Sequence, residues 1–174
     1  MNPIHRVVTT YSLDCAMFAY QSIEAVFKVF EDPYNLAKIT PESLSFEVKS
    51  RERVAMRKGA EIAYTIKWLG LAMHWKTLIV EYEPPFLFID EQVKGPYTLW
   101  RHRHTFEALP GGVSVADHVE YALPFGVLGR AAHVMAVRAQ LLGIFSYRQE
   151  KLKDLLKCET RTTRSPTICQ VIAS

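Results

Sequence analysis

The sequence predicts an α+β domain in which a curved, seven-stranded antiparallel sheet wraps a long C-terminal helix, with two short helices after the first strand. Three observations carry this. Six runs of strand character follow one another between Leu44 and Tyr121 with turn residues and no helix between them, which describes an antiparallel meander and not crossover units. A helical pattern from about Gly126 to Leu156 follows; if continuous it is roughly 45 Å long at 1.5 Å per residue, enough to cross a sheet. With so little other helix, this one has to cover the sheet's apolar side.

In order along the chain, His5 to Leu13 alternate as a half-buried strand with Val7, Thr9, Tyr11 and Leu13 on one side. Ser22 caps a helix whose Ile23, Val26, Phe27 and Phe30 form one stripe, ended by Asp32 and Pro33; Tyr34 to Ile39 add another helical turn or two. The six meander strands are expected near 44–50, 60–68, 71–82, 86–93, 97–109 and 112–121, with Leu69-Gly70 as a two-residue hairpin loop. Glu83-Pro84-Pro85, Lys94-Gly95-Pro96 and Pro110-Gly111-Gly112 form the other corners. On the long helix, Leu128, Ala132, Met135, Ala139 and Leu142 make one stripe toward the sheet, and Val127, Ala131, Val134, Leu141, Phe145, Leu152 and Leu155 an adjoining one. Gly143 is the expected bend. Beyond Lys157 periodicity is lost, so residues 1–157 form one domain and 158–174 a flexible tail.

Composition limits the partners. The 174 residues are 49% hydrophobic and carry a net charge of +3, enough for one core and too little charge for a nucleic-acid footprint. Cys15, Cys158 and Cys169 are odd in number and share no metal-ligand spacing, which suits a reducing cytoplasm and argues against a disulfide framework. No run reaches the roughly 18 to 20 apolar residues of a membrane span, so stable membrane insertion is not expected. No cofactor is indicated, and the oligomeric state stays open.

Strand parity then places candidate site residues. Trp100, His102, His104 and Phe106 share one face, Arg101 and Arg103 the other. Across the Pro110-Gly111 loop, Leu109 pairs with Gly112, which sets His104 opposite Asp117, Phe106 opposite Val115 and Trp100 opposite Tyr121. Asp117 among valines needs a partner, because an isolated buried charge is too costly, and His104 is the natural one. The pair reads either as an acid/base centre or as a polar contact that fixes register. His102, His104 and Asp117 also have the makings of a metal set, but histidines at i and i+2 are ordinary on strands, so no metal is expected. His118 and His133 are placed at the surface. The parity of 86–93 cannot be carried across its loop, which leaves the direction of Asp90 and Gln92 open.

The strings FIDEQVKGPYTLWRHRHTFE, DHVEYALPFGVLG and IFSYRQEKL, together with DPYNLAKITP, resemble the SRPBCC superfamily over about residues 5–156. That group holds START-like lipid carriers, birch-pollen-type allergens, aromatic polyketide cyclases and coenzyme-Q-binding proteins; the closer likeness is to bacterial members of ligand-binding or cyclase/dehydrase type. The resemblance implies a helix-grip fold with an internal hydrophobic pocket.

The expected function is binding of a small hydrophobic or aromatic molecule, a lipid, isoprenoid or polyketide-like compound, between sheet and helix. From the sheet its walls are Tyr64, Trp68, Trp75, Phe88, Trp100, His102, His104, Phe106, Asp117 and Tyr121; from the helix, Met135, Ala139 and Leu142. The alternatives are a cyclase- or dehydratase-type enzyme with His104 and Asp117 as catalytic pair and Tyr64 or Tyr121 as proton donors, and an interaction or stress-response module with a filled core.

Overall fold

A computed structural model describes residues 9–49, 55–68 and 71–171. The strands are β1 (Thr10–Ala19), β2 (Glu47–Val48), β3 (Glu61–Trp68), β4 (Leu71–Glu83), β5 (Leu87–Lys94), β6 (Leu99–Leu109), β7 (Gly112–Ala122) and β8 (Thr160–Val171), and the helices are α1 (Ile23–Phe30), α2 (Val127–Ala132) and α3 (Arg138–Leu156). One antiparallel sheet runs β2-β3-β4-β5-β6-β7-β1-β8. The meander is as expected, and the sheet has eight strands where seven were expected.

The eighth strand is the segment read as a flexible tail. Thr160–Val171 pairs along the whole of β1, from Ala19 opposite Thr160 to Thr10 opposite Val171. Its side chains are mostly exposed, so no apolar periodicity marked it; what orders it is the free backbone edge of β1. Lys157, left-handed at φ 54°, turns the chain from α3 into this strand. The first strand is also displaced: it runs Thr10–Ala19, and the part of His5–Leu13 before Thr9 lies outside the described residues. The expected parity holds and extends, with Tyr11, Leu13, Cys15 and Met17 buried. Within the described part of the strand expected at 44–50, Glu47–Val48 forms the strand, and the Lys49 amide donates to the Ala63 carbonyl beside it. Trp68 pairs with Leu71 on either side of Leu69-Gly70, a loop outside the described residues, as is the side chain of Trp68.

Local chemistry explains α1 and the central hairpin. The Ser22 hydroxyl accepts from the Ala25 amide, and Ile23, Val26 and Phe27 are buried. A short 3-10 segment, Pro33–Ile39, follows, started by Asp32 accepting from the Tyr34 amide. At the β6–β7 turn Gly111 has φ 86°, and a Cβ on Gly112 would strike the Ala19 carbonyl and the Phe18 ring. The register is the one expected: Leu109–Gly112, Phe106–Val115, His104–Asp117 and Trp100–Tyr121.

The C-terminal helix departs most from its pattern. Its irregularity is a π-helical stretch at His133–Val137, not a bend at Gly143. The buried line is Gly129, His133, Val137, Leu141, Phe145, Gln149, Leu152 and Leu156, mostly four residues apart. The expected stripe of Leu128, Ala132, Met135 and Ala139 faces outward instead, Met135 being 83% exposed, and Leu142 is half-buried. The adjoining stripe divides: Leu141, Phe145 and Leu152 are buried, whereas Val127, Ala131 and Val134 are exposed, so hydrophobicity alone does not pick out the buried side. The sheet accepts the side bearing a histidine because Tyr121 offers that imidazole a hydrogen bond. No helix among the described residues is long and apolar enough to cross a membrane.

Candidate functional site

The concave face carries two apolar clusters. Toward α1 lie Met17, Phe27, Phe88, Phe106, Val115 and Leu152; toward α2 lie Cys15, Trp75, Val119, Tyr121, Leu141 and Phe145. β6, β7 and α3 change character between them, whereas β1 passes directly from Cys15 to Met17. On β6 the two inward positions between Trp100 and Phe106 are His102 and His104; on β7 Asp117 separates Val115 from Val119; on α3 Arg148 and Gln149 lie between Phe145 and Leu152. A polar belt thus crosses an apolar interior at one level. Burying it is costly unless its members satisfy one another.

They do so as a four-membered array. Asp117 Oδ1 lies 3.0 Å from His102 Nε2 and 2.8 Å from His104 Nδ1, the latter out of line for a hydrogen bond. Asp90 Oδ2 lies 3.3 Å from His104 Nε2 and 3.7 Å from His102 Nδ1. The Cys15 thiol donates to Asp117 Oδ2 at 3.6 Å, and burial together with the Asp117 charge pushes its pKa up, so it stays a thiol. Burial opposes charge on both imidazoles. At His102, burial and the neighbouring His104 prevail over the two carboxylates and lower the pKa. At His104, the hydrogen bonds and charges of Asp117 and Asp90 together outweigh burial and raise it. Burial pushes the Asp117 carboxyl up, but the two imidazoles outweigh it and hold the group well below the usual carboxylate range. Of the two imidazoles, His104 is therefore the one whose protonated form the carboxylates favour, and His102 the one whose neutral form is favoured.

The array forms one wall of a hollow. A cavity of about 120 Å³ is bounded by Asp90, His102 and His104 on that side and by Phe30, Leu36, Ile62, Ile79, Phe88 and Leu152 elsewhere. A second chamber, about 90 Å³, lies toward Trp75, Tyr97, Leu141 and Phe145. Leu36, Tyr64, Trp100 and Arg148 border both chambers and divide them. The Tyr64 hydroxyl lies 3.3 Å from Thr77 Oγ1, which also accepts from Trp75 Nε1 at 3.1 Å. Arg148 Nε is buried without a hydrogen-bond partner, and its guanidinium lies 4.8 Å from the Phe145 ring centre.

The expected wall residues divide accordingly. Tyr64, Phe88, Trp100, His102 and His104 border the first chamber, and Trp75 the second. Asp117 stands behind the histidines, Phe106 packs against Phe27 and Phe30, and Tyr121 is fully buried against Tyr11. Met135 and Ala139 face outward and line nothing. Asp90, whose direction was open, points inward, whereas Gln92 donates to the Tyr97 carbonyl and closes the turn. Arg148, half-buried on α3, borders both chambers; no periodicity reveals a cation on that side of the helix. Arg101 pairs with Glu91 and Arg103 is exposed, both on the outer face as expected. His118 pairs with Asp14 there at 2.7 Å.

A family model described as polyketide cyclase / dehydrase and lipid transport matches residues 21–141. The chain belongs to that family. Its match takes in Asp90, His102, His104 and Asp117 and stops short of Arg148 and β8. Among solved structures, a protein from Chromobacterium violaceum is 17% identical with a TM-score of 0.63 over 83% of this chain and 96% of its own. The di-domain ARO/CYC StfQ from the steffimycin biosynthetic pathway is 13% identical at 0.63, covering 87% of this chain and 51% of its own. Ara h 8.0201 is 14% identical at 0.55, over 85% and 99%. No curated protein matches in sequence. The family and these folds bear out the SRPBCC resemblance and the helix-grip architecture.

His133 in this polyketide cyclase/dehydrase family protein is not at the surface. It is 4% exposed, its ring stacks on Tyr11 at 3.7 Å between centres, and Nε2 lies 2.8 Å from the Tyr121 hydroxyl. Burial first, then Arg138, lowers its pKa from 6.5. Between that lowered value and 6.5 the unfolded chain binds more protons than the folded one, so stability from neutral His133 is full above 6.5 and falls as pH drops. His133→Gln is expected to flatten the loss of urea midpoint between about pH 7 and 5; an unchanged slope would show that His133 is not the group responsible.

Proposed function

We propose that the hollow binds a compact aromatic or polyketide-like molecule bearing oxygen substituents. One observation supports this above others: a cavity apolar on most sides that presents Asp90, His102, His104 and Arg148 along a single polar belt. An apolar cavity of about 150 Å³ holds benzene, so the first chamber, at about 120 Å³, suits one ring. Turning Tyr64 or Arg148 aside would join it to the second chamber and admit a further ring. A long acyl or isoprenoid chain asks for more length than either chamber offers. Apolar contact supplies the affinity and the belt orients the oxygen.

A cyclase- or dehydratase-type reaction is the second reading, favoured by one feature. His104 has Asp117 behind its Nδ1 at 2.8 Å, its Nε2 meets the Asp90 carboxylate at 3.3 Å, and both residues border the cavity. A protonated imidazole so placed can give a proton to a carbonyl or a leaving hydroxyl.

Titration with 2-naphthol, naphthalene and palmitate tests the binding reading, followed by quenching of Trp75 and Trp100. The expected order is 2-naphthol tighter than naphthalene by about tenfold, worth about 1.4 kcal/mol, with palmitate weakest. Leu36→Trp, which fills the border of both chambers, should abolish 2-naphthol binding and leave the circular dichroism unchanged. Palmitate as the best ligand, or Leu36→Trp binding as well as wild type, would defeat it.

A further inference from the structure

Beyond the organic ligand, three inward atoms converge, and the one hydrogen bond among them, between His104 Nε2 and Asp90 Oδ2 at 3.3 Å, accounts for only part of the arrangement. Asp117 Oδ1, 3.0 Å from His102 Nε2, takes the hydrogen of that nitrogen and leaves His102 Nδ1 as a lone pair. That lone pair faces Asp90 Oδ2 at 3.7 Å, acceptor against acceptor, with side-chain exposures of 6% and 15%. His104 Nε2 approaches the same Asp90 oxygen at 3.3 Å, and its Nδ1 lies 2.8 Å from the same Asp117 oxygen. Asp117 thus stands behind both imidazoles while their other nitrogens point, with Asp90, at one small volume. Among the described residues this is the one trio of potential ligand side chains that meets, its atoms all within 4.8 Å of one another.

We infer that Asp90, His102 and His104 form a binding site for a divalent first-row transition ion, with Asp117 as the outer carboxylate that orients both histidines. Two imidazoles and one carboxylate are the donor set of open zinc and non-haem iron centres. An ion about 2.1 Å from each ligand sets them about 3.4 Å apart in a tetrahedron. The two separations from Asp90, 3.3 and 3.7 Å, bracket that value, and the third, between the imidazole nitrogens, is within 4.8 Å, so side-chain rotation that draws the two rings together completes the geometry. A carboxylate behind each ligating imidazole is the usual outer support of such sites. The three ligands form part of the cavity wall, so the remaining coordination position opens into the hollow, where water or a ligand oxygen would occupy it. The missing signal in the sequence was Asp90, on a strand whose parity its loop concealed.

The site is tested with the ion alone, independently of any organic ligand. Full-length, tag-free protein stripped with EDTA is titrated with Zn²⁺ by calorimetry and with Co²⁺ by visible absorption. One saturable equivalent is expected, with a four- or five-coordinate Co²⁺ spectrum and no response to Mg²⁺. His102→Ala and Asp90→Ala should abolish it, and Asp117→Asn should weaken it about 10- to 100-fold. Asp90→Asn, at the cavity wall, is the milder variant should the alanine changes fail to fold, and it too should lose the ion. His74→Ala/His118→Ala, which removes an exposed and a half-exposed surface imidazole, should bind as wild type. Wild-type protein that takes no ion up to millimolar concentration, undiminished binding in Asp90→Asn, or loss in His74→Ala/His118→Ala would each overturn the site.

Discussion

Asp117→Ala is expected to lose about 3–5 kcal/mol of stability, measured by urea unfolding with EDTA present, the cost of removing one partner from a buried ionic set. The change would strand two hydrogen-bonded groups, His102 Nε2, 3.0 Å from Oδ1, and the Cys15 thiol, 3.6 Å from Oδ2, and would remove the charge 2.8 Å from His104 Nδ1. His104 can relieve part of this by releasing its proton, because its raised pKa depends on the same carboxylate. Asp117→Asn keeps an acceptor and should cost less. The informative comparison is the triple change His102→Leu/His104→Leu/Asp117→Leu. It replaces the belt's centre with apolar groups and should lie within about 1–2 kcal/mol of wild type, since well-packed apolar residues commonly match a buried ion set. Recovery would mean that the array is not retained for stability and would point to the cavity it borders. A triple variant as unstable as Asp117→Ala would instead make the array a structural device.

Strand parity carried the sequence reading furthest. It placed His104 opposite Asp117 because alternation is strict and the Gly111-Gly112 turn pins the register. It failed at two kinds of position for two physical reasons. Asp90 lies on a strand joined to its neighbour through an irregular loop, and irregular loops do not conserve parity. Arg148 and His133 lie on a helix whose two sides are equally apolar, and the π-helical stretch at His133–Val137 shifts the phase that a 3.6-residue period assumes. Strand β8 escaped for a third reason: an edge strand is ordered by backbone pairing, which leaves little trace in an exposed side-chain pattern. The fold and three of the array's four members were therefore readable from patterns, while Asp90 and the neighbouring Arg148 depended on loop geometry and packing that patterns do not encode.

Deleting β8, by ending the chain at Cys158, is expected to make the chain self-associate beyond the state of the full-length protein. β1 lies between β7 and β8, and without β8 its outer edge from Thr10 to Ala19 presents a row of unpaired backbone groups. The edge is apolar on its inner side, with Leu13, Cys15 and Met17 buried, so another chain could extend the sheet there. Gln149 would lose one of its two anchors: its side-chain amide bridges the Ala16 and Arg164 carbonyls at 3.0 and 3.1 Å, where the β1–β8 register shifts. Ile168, packed against the cluster that holds Phe145, would leave with the strand. A loss of about 3 kcal/mol corresponds to about 6–12 °C in Tm for a domain of this size. Size-exclusion chromatography should show higher oligomers of the truncated chain. Ser12→Lys, placing a charge on the newly exposed strand, should reverse part of the added association without restoring Tm, because charge deters edge pairing but replaces no backbone hydrogen bond. A truncated chain with the full-length protein's elution volume and Tm would show that β8 does not close the edge of β1 in solution.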